Sequence, residues 1–177
     1  MSGARPTLPR MRPLFAALML ALAACSTGPA APIVEDVDVA CTDEFCIVFP
    51  VGWETEAGDT YLAFSHPVAP GRSAATISSI NLQAVVENAG GSWPATTENV
   101  VRALWQLLED ADVATLERVE RLTGGVFRSE GSYEDGRLWH LLIPGPGNRG
   151  LAVEVRGPNT SWESHADVFF NNVEPLQ

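Results

Sequence analysis

An uncharged apolar segment, residues 14–24, lies near the start of the chain and ends directly before Cys25. A helix needs roughly 20 apolar residues to cross the hydrocarbon core of a bilayer, so this segment is too short to span one. Its length and its arginine-bearing flank are typical of the apolar region of a secretory signal peptide. We therefore expect residues 1–24 to be removed, with Met1 or Met11 as the true start, and the folded domain to come from the rest of the chain.

The apolar segment ends in Leu22-Ala23-Ala24-Cys25. This run resembles the lipobox of bacterial lipoproteins, in which a Leu and two small residues precede a Cys. The resemblance implies that Cys25 receives a diacylglyceryl group and becomes the first residue of the mature chain. Two acyl chains hold a protein firmly at a membrane. The expected location is therefore the cell membrane, lipid-anchored and facing away from the cytoplasm. The alternative is an ordinary secretory signal with an incidental Cys.

Small residues and prolines follow the expected anchor, over residues 26–32. Such a composition is typical of a flexible tether. We assign residues 25–40 to the lipidated Cys and its tether. The remaining length suits one domain, which we place at residues 41–177.

Acidic residues outnumber basic ones twofold, at 22 against 11, and all 11 basic residues are arginines. Arg5, Arg10 and Arg12 lie in the segment expected to be removed, which leaves 8 arginines and a net charge of −14. A surface of this charge repels phosphate backbones. We expect no nucleic-acid partner; the expected partners are the membrane, through the lipid anchor, and a protein of the cell envelope.

Cys41 and Cys46 are the two cysteines of the domain. An exported protein reaches an oxidising compartment, where a disulfide is permitted. A bond requires the chain to turn at residues 42–44, because an extended chain would hold the two Cα atoms too far apart. We expect a structural disulfide; two free thiols or a redox pair are the alternatives.

Hydrophobic periodicity predicts strands and two helices. The strands are expected at residues 45–49, 60–65, 76–86, 126–133, 137–143 and 151–156. The third of these requires a bulge near Ser78. Apolar residues at three- and four-residue spacing predict a helix over 97–111, and Thr160 with Glu163 fits a capping box that opens a final helix. Residues 113–122 fit a strand or a helix, and we favour the strand. This order predicts an α+β fold with an antiparallel sheet covered by helices.

The run of residues 45–53, a strand followed by Pro50 and Trp53, resembles the opening of PsbP-like proteins. Their long middle helix, strand meander and C-terminal helix fall in a similar order. Small actinobacterial lipoproteins of the LpqN type are similar in joining a lipobox, a tether and one such domain. The resemblance implies a PsbP-like α/β/α sandwich and an accessory or binding role. It transfers no catalytic residues, because the family has no agreed ones.

The three histidines are His66, His140 and His165, and no two are spaced for a shared metal site. The chain carries no Gly-x-Ser-x-Gly elbow, no phosphate-binding Gly loop and no His-Glu-x-x-His motif. We expect no catalytic residue, no metal and no cofactor. His140 is expected to be partly buried with its hydrogen bonds satisfied, and His165 to lie on the buried side of the last helix or in a groove.

Five tryptophans lie in the domain, and Trp93, in a loop before Pro94, is the candidate for an exposed partner contact. A core position for Trp93 is the alternative. The sequence thus favours a membrane-anchored accessory binding or scaffolding module without catalysis. Two alternatives stay open: a carrier of a small apolar or lipidic ligand in a groove between helix and sheet, and a hydrolase whose site the sequence does not reveal.

Overall fold

The computed structural model describes residues 37–66, 73–134 and 136–175. Cys25 and the lipobox lie outside the described residues. A strand begins at Val37, within the segment assigned to the tether. None of the described helices is both long enough and apolar enough to cross a bilayer.

Ten strands and three α-helices make up the described part of the chain. The strands are β1 (Val37–Cys41), β2 (Phe45–Pro50), β3 (Glu54–Ala57), β4 (Tyr61–Ser65), β5 (Ser73–Asn81), β6 (Thr115–Arg121), β7 (Phe127–Tyr133), β8 (Gly136–Pro144), β9 (Arg149–Gly157) and β10 (Val173–Pro175). The helices are α1 (Leu82–Asn88), α2 (Thr97–Asp110) and α3 (Glu163–Asn171), and short 3-10 turns lie at Thr123–Gly125 and Thr160–Trp162.

Two antiparallel sheets carry the fold. The large sheet has seven strands in the order β3-β4-β5-β9-β8-β7-β6, and the small sheet has three in the order β1-β2-β10. Successive side chains of β8 point to opposite faces of the large sheet, and they pack into a core on each face. Leu138 and Leu142 belong to a core beneath α1 and α2. Trp139 and Leu141 belong to a second core beneath the small sheet and α3. We call these the helix-side core and the small-sheet core.

The expected α+β fold, in which helices cover an antiparallel sheet as in a PsbP-like α/β/α sandwich, is wrong. The described domain is mostly β, and the face opposite α1 and α2 is covered by the small sheet together with the short α3. The reason lies in the two flanks of β2. Val37–Cys41 and Val173–Pro175 pair with β2 on either side, so β2 forms the centre of a separate sheet and does not join the large one.

The long strand expected over residues 76–86 is also wrong. β5 ends at Asn81 and α1 begins at Leu82. The Asn81 side chain caps the helix by accepting a hydrogen bond from the backbone N–H of Ala84 at 3.0 Å. Leu82 and Val86 are buried in the helix-side core one helical turn apart. A spacing of four residues satisfies both the strand and the helix period, which is why alternation alone gave the wrong element.

Several other expected elements are confirmed. The helix α2 covers Thr97–Asp110, with Thr96 as its N-cap, and residues 115–121 form the strand β6. The final helix is present but begins differently from the capping box expected at Thr160. The Asn159 side chain accepts from the backbone N–H of Ser161 at 2.9 Å and opens the 3-10 turn that leads into α3.

Candidate functional site

Two tryptophans and two histidines meet where the small-sheet core reaches the surface. We call Trp53, His66, Trp162 and His165 the His–Trp cluster. The centroid of the His66 ring lies 4.9 Å from Trp53, 5.0 Å from Trp162 and 5.4 Å from His165. The His165 ring lies 5.0 Å from Trp162 and 5.8 Å from Trp53. Each ring therefore contacts at least two others, in the tilted and edge-on geometries that aromatic rings favour.

Four separate elements bring these rings together. Trp53 lies in the turn between β2 and β3, where Gly52 takes a positive φ of 91°. His66 directly follows β4. Trp162 ends the 3-10 turn and His165 lies in the first turn of α3. The two are spaced i to i+3, so they lie on the same face. The cluster is thus assembled from segments far apart in the chain.

The Trp162 side chain packs directly against the backbone of Gly157. A Cβ added at Gly157 would overlap the first atoms of the Trp162 side chain, Cβ and Cγ. These atoms are close to the backbone and cannot swing away as the tip of a flexible chain could. The absence of a side chain at Gly157 therefore lets Trp162 lie directly on the end of the interior strand β9.

Burial decreases from the base of the His–Trp cluster outwards. Trp53 is buried at 8% exposure and packs on the fully buried Phe169 ring at 5.1 Å. His66, Trp162 and His165 are partly exposed. Burial lowers the pKa of the His165 imidazole below its usual value, and the neighbouring His66 lowers it further. His165 is therefore mainly neutral at pH 7, and its ring adds no fixed positive charge to the aromatic faces of the cluster.

The carboxylates of α3 are directed away from the cluster. Arg128 on β7 binds Glu163 and Asp167 at 2.8 Å each. Its guanidinium also lies over the Phe170 ring, 5.5 Å from the ring centroid. These contacts hold α3 against the large sheet and pair both acidic groups with one cation, so neither carboxylate is left to bind a ligand at the His–Trp cluster.

His140 has a different environment from the other two histidines. It lies on β8 under α2, in line with Leu138 and Leu142, and is 2% exposed. Its Nδ1 finds no hydrogen-bond partner among the described residues, and the ring is fully buried, so the expectation of a satisfied, partly buried histidine is wrong for this part of the chain. Burial lowers the pKa of the imidazole, against a smaller opposing effect of Glu154. A low pKa keeps the ring neutral, which is the form that tolerates burial.

Ser129, His140 and Glu154 lie side by side across three strands of the large sheet. These residue types form the triad of many hydrolases, but the arrangement here is closed. Ser129 is 1% exposed and accepts a hydrogen bond from Trp105 Nε1 at 2.8 Å. Glu154 accepts one from Arg156 Nε at 2.7 Å. The Ser129 hydroxyl and the His140 ring are thus enclosed in the core beneath α2, whereas Glu154 is partly exposed and paired with Arg156.

The groove between helix and sheet that a ligand carrier would need is filled. Val100, Val101 and Trp105 on α2 meet Leu138 and Leu142 on β8, and each of the five is at most 1% exposed. A shallower cleft of about 290 Å³ lies elsewhere, between the β1–β2 turn and the β8–β9 loop. It is bordered by Glu44, which pairs with Arg149 at 3.0 Å, and by Pro144 and Pro146.

The structure contains the expected disulfide between Cys41 and Cys46. The two residues lie opposite each other in β1 and β2. Thr42 closes the turn between them, because its Oγ1 accepts from the backbone N–H of Glu44 and of Phe45 at 3.2 Å each. The bond joins the end of an edge strand to the central strand of the small sheet.

The structure places Trp93 partly buried against the helix-side core, away from the His–Trp cluster. Within the described residues, no three His, Cys, Asp or Glu side chains converge on a position that could hold a metal ion. Sequence reasoning missed the His–Trp cluster, because it considered each histidine by its own neighbours. The only local signal was Trp162 with His165, which share one face of a helix.

No protein-family model matches the chain, and no curated protein matches it significantly. Among solved structures, a protein from Bacteroides thetaiotaomicron determined at 1.50 Å resolution is similar at 17% identity. The alignment covers 75% of this chain and 45% of that one, with a TM-score of 0.35. This chain thus spans less than half the length of that protein.

Proposed function

We propose that the chain is a lipid-anchored protein of the cell envelope whose domain binds a partner by contact, through the His–Trp cluster, and performs no turnover. The observation that carries the proposal is the convergence of the four rings at the surface, with three of them partly exposed. Exposed aromatic side chains are the commonest anchors of binding interfaces. The lipobox at Cys25 supports the anchor.

The partner that fits the cluster best is a basic protein surface. An indole face attracts an Arg or Lys cation within about 6 Å of the ring. The expected mature charge of −14 would also steer positively charged surfaces towards the domain. His165 is held neutral at pH 7 by its lowered pKa, so it does not oppose such a cation.

Titration of the full chain with an arginine hexapeptide, observed through indole NMR signals, tests the proposed site. We expect the Trp162 signal to shift, and we expect Trp162→Ala to weaken binding by about threefold to thirtyfold, the range of a single cation–π contact. Trp162→Phe should restore part of the affinity. Trp93→Ala is the matched control and should bind as the unmodified chain does.

Two outcomes would contradict the proposed site. One is an aspartate hexapeptide that binds as well as the arginine hexapeptide, because the charge argument would then be wrong. The other is a loss of affinity in Trp93→Ala as large as that in Trp162→Ala. Acidification gives a further check, because protonation of His165 places a positive charge beside the bound cation and should weaken binding.

The anchor is tested separately by growing the host with a labelled fatty acid. The unmodified chain should incorporate label and Cys25→Ala should not, with an unprocessed or mislocalised precursor instead. Label in the Cys25→Ala chain would show that the lipobox interpretation is wrong. That result would leave the peptide-binding measurement unaffected.

A further inference from the structure

Among the described residues, no strand pairs with the outer edge of β1. This strand pairs with β2 on one side only, and its residues are mostly exposed. Val39 is 64% exposed and Val37 50%. An exposed strand edge offers a row of unpaired N–H and C=O groups to another strand.

The backbone groups that point outwards from β1 can be identified. Thr42 donates to the Phe45 carbonyl at 2.9 Å, so this pair is hydrogen-bonded across β1 and β2. Val48, opposite Val39, donates instead to Asn172 at 3.2 Å, on the other side of β2. Since hydrogen-bonded and non-hydrogen-bonded pairs alternate in an antiparallel ladder, the N–H and C=O groups of Val37, Val39 and Cys41 point away from β2.

The other three strand edges of the described domain are protected in known ways. The exposed edge strand β3 carries Glu54 and Glu56. β6 carries four charged residues, Glu117, Arg118, Glu120 and Arg121, and an irregular register between Leu116 and Arg118. β10 has only three residues and ends in Pro175. Charges, bulges, shortness and proline all hinder pairing with a further strand. β1 has one charged residue, Asp38, between two exposed valines.

We propose that β1 pairs antiparallel with β1 of a second copy of this chain, joining two small sheets into one of six strands. A two-fold axis at Val39 places Val37 opposite the partner's Cys41. This register uses all the outward-pointing groups and forms about six backbone hydrogen bonds. It also sets Asp38 opposite the partner's Ala40, so that no two carboxylates face each other. A register centred on Asp38 would lose both advantages.

The contact is expected to be weak in solution and to depend on confinement. Two five-residue strands bury far less surface than a stable interface needs, and two copies of an acidic chain repel each other. Salt should therefore strengthen the association, since it screens that repulsion. If Cys25 carries the proposed anchor, residues 26–36 reach about 40 Å when extended, which lets both copies remain attached to one membrane.

Hydrogen exchange with single-residue resolution tests the pairing. The chain is purified as its host exports it, in phosphatidylcholine vesicles if it carries lipid and in buffer otherwise, at low and high protein density. At high density we expect exchange at Val37, Val39 and Cys41 to slow by about twofold or more, because only the open monomer exchanges. Asp38 and Ala40 donate towards β2 and should not change. The β3 amides provide a second internal control.

Val39→Pro separates this pairing from folding. Proline removes an N–H that points outwards, so the β1–β2 ladder is kept and only the pairing between copies is lost. Val39→Thr keeps the N–H and should keep the density dependence. Ala40→Pro removes a hydrogen bond to β2 and serves as the destabilised comparison.

Three results would overturn the proposal. The first is exchange at Val37, Val39 and Cys41 that does not depend on protein density at 0.1 M or 0.5 M salt. The second is density dependence that survives Val39→Pro in a chain with an unchanged circular dichroism spectrum. The third is protection that appears on adding phosphatidylglycerol vesicles at low protein density, because this would assign the strand face to a lipid surface.

Discussion

Trp105 and Trp162 occupy corresponding places on opposite faces of the large sheet, and they differ in what covers them. Each lies over a glycine, Trp105 over Gly131 and Trp162 over Gly157. Trp105 belongs to the 14-residue helix α2 and points from it onto the sheet; it is 1% exposed, and its Nε1 donates to Ser129. Trp162 precedes the nine-residue α3 and stays partly exposed beside two histidines.

An indole packed over a glycine therefore lies in a closed core on one face and in an open site on the other. The difference comes from the helices, α2 on one face and α3 on the other. α2 buries four of its residues, and its length carries it across β6, β7 and β8. α3 buries only Ala166 and Phe169. A short cover leaves the rim of the core exposed, and the rim is where the His–Trp cluster lies.

The largest expected difference between the two faces is in the stability cost of removing each indole. Trp105→Ala should lower the free energy of unfolding by about 3–5 kcal/mol, because it leaves a cavity and an unpaired Ser129 hydroxyl. Trp162→Ala should cost clearly less, since part of its surface is already in water. Urea unfolding of both variants measures the difference. Equal losses would show that the small-sheet face is as closed as the helix face.

Substitution of the two glycines beneath these indoles should have the next largest effect on stability. A Cβ at Gly131 meets the Thr115 carbonyl oxygen and the Trp105 ring, so Gly131→Ala should cost at least the 1–3 kcal/mol typical of overpacking. Gly157→Ala meets Cβ and Cγ of Trp162, which cannot swing away, so it should also cost at least about 1–3 kcal/mol and should push the turn that carries the indole outwards. Thermal unfolding and tryptophan emission report the two effects. Gly147→Ala, at a loop position with open space around it, provides a control for strain at a positive φ.

Acidification should destabilise the fold mainly through the buried His140 and less through the partly exposed His165. The pKa of His140 is lowered in the folded chain, whereas an unfolded histidine has a pKa of about 6.5. Below that pH the unfolded chain binds a proton that the folded chain refuses, so stability is complete above about pH 6.5 and falls as the pH decreases. The slope is at most about 1.4 kcal/mol per pH unit for one such group.

His140→Leu should remove most of this pH dependence and leave stability near pH 8 little changed or improved, since it replaces an unsatisfied nitrogen by an apolar group. His165→Phe should remove a smaller part, because the lowered pKa of His165 acts in the same direction from a partly exposed position. Urea midpoints at pH 5, 6, 7 and 8 provide the measurement. A pH slope that is unchanged in His140→Leu would contradict the assignment.

The smallest expected effects concern the ion pairs of the two covering helices. Arg102 pairs with Glu98 on the exposed side of α2 at 2.8 Å, and Arg102→Ala should cost about 0.3–0.5 kcal/mol. Arg128 holds two carboxylates of α3 and lies over Phe170, so Arg128→Ala should cost about 1 kcal/mol. Urea unfolding of both variants at low and at high salt measures these costs. We expect charge to matter more for α3, because α3 has few apolar contacts. A larger loss of unfolding free energy in Arg102→Ala than in Arg128→Ala would contradict this expectation.

Local sequence patterns identified the elements whose own residues decide their structure. The apolar residues of α2 recur every three or four positions and are capped by Thr96, so the helix could be predicted within one residue at its end. β2, β7 and β8 were recognisable from their alternation or apolar runs. The Cys41–Cys46 pair was predictable because a five-residue separation with a turn between brings two strands together in one way.

Elements that depend on distant residues were not predictable. Leu82 begins a helix because its N–H donates to the Asn148 carbonyl at 2.7 Å and its side chain lies against Gly150. β1 and β10 are strands because both pair with β2. The partners of Leu82 and of β10 lie far away in the sequence, so no period or propensity reports them, whereas β1 pairs with the strand that directly follows it.

The sequence by itself determined the helix α2, the strands β2, β7 and β8, the disulfide and the acidic charge, because each of these depends on neighbouring residues or on composition alone. Only the tertiary structure decided that the small sheet, not a helix layer, covers one face of the large sheet. It also decided that His66 and His165 meet while His140 is buried. The physical reason is that burial and ring contacts depend on which segments pack together, and that choice is made by the summed contacts of the whole domain.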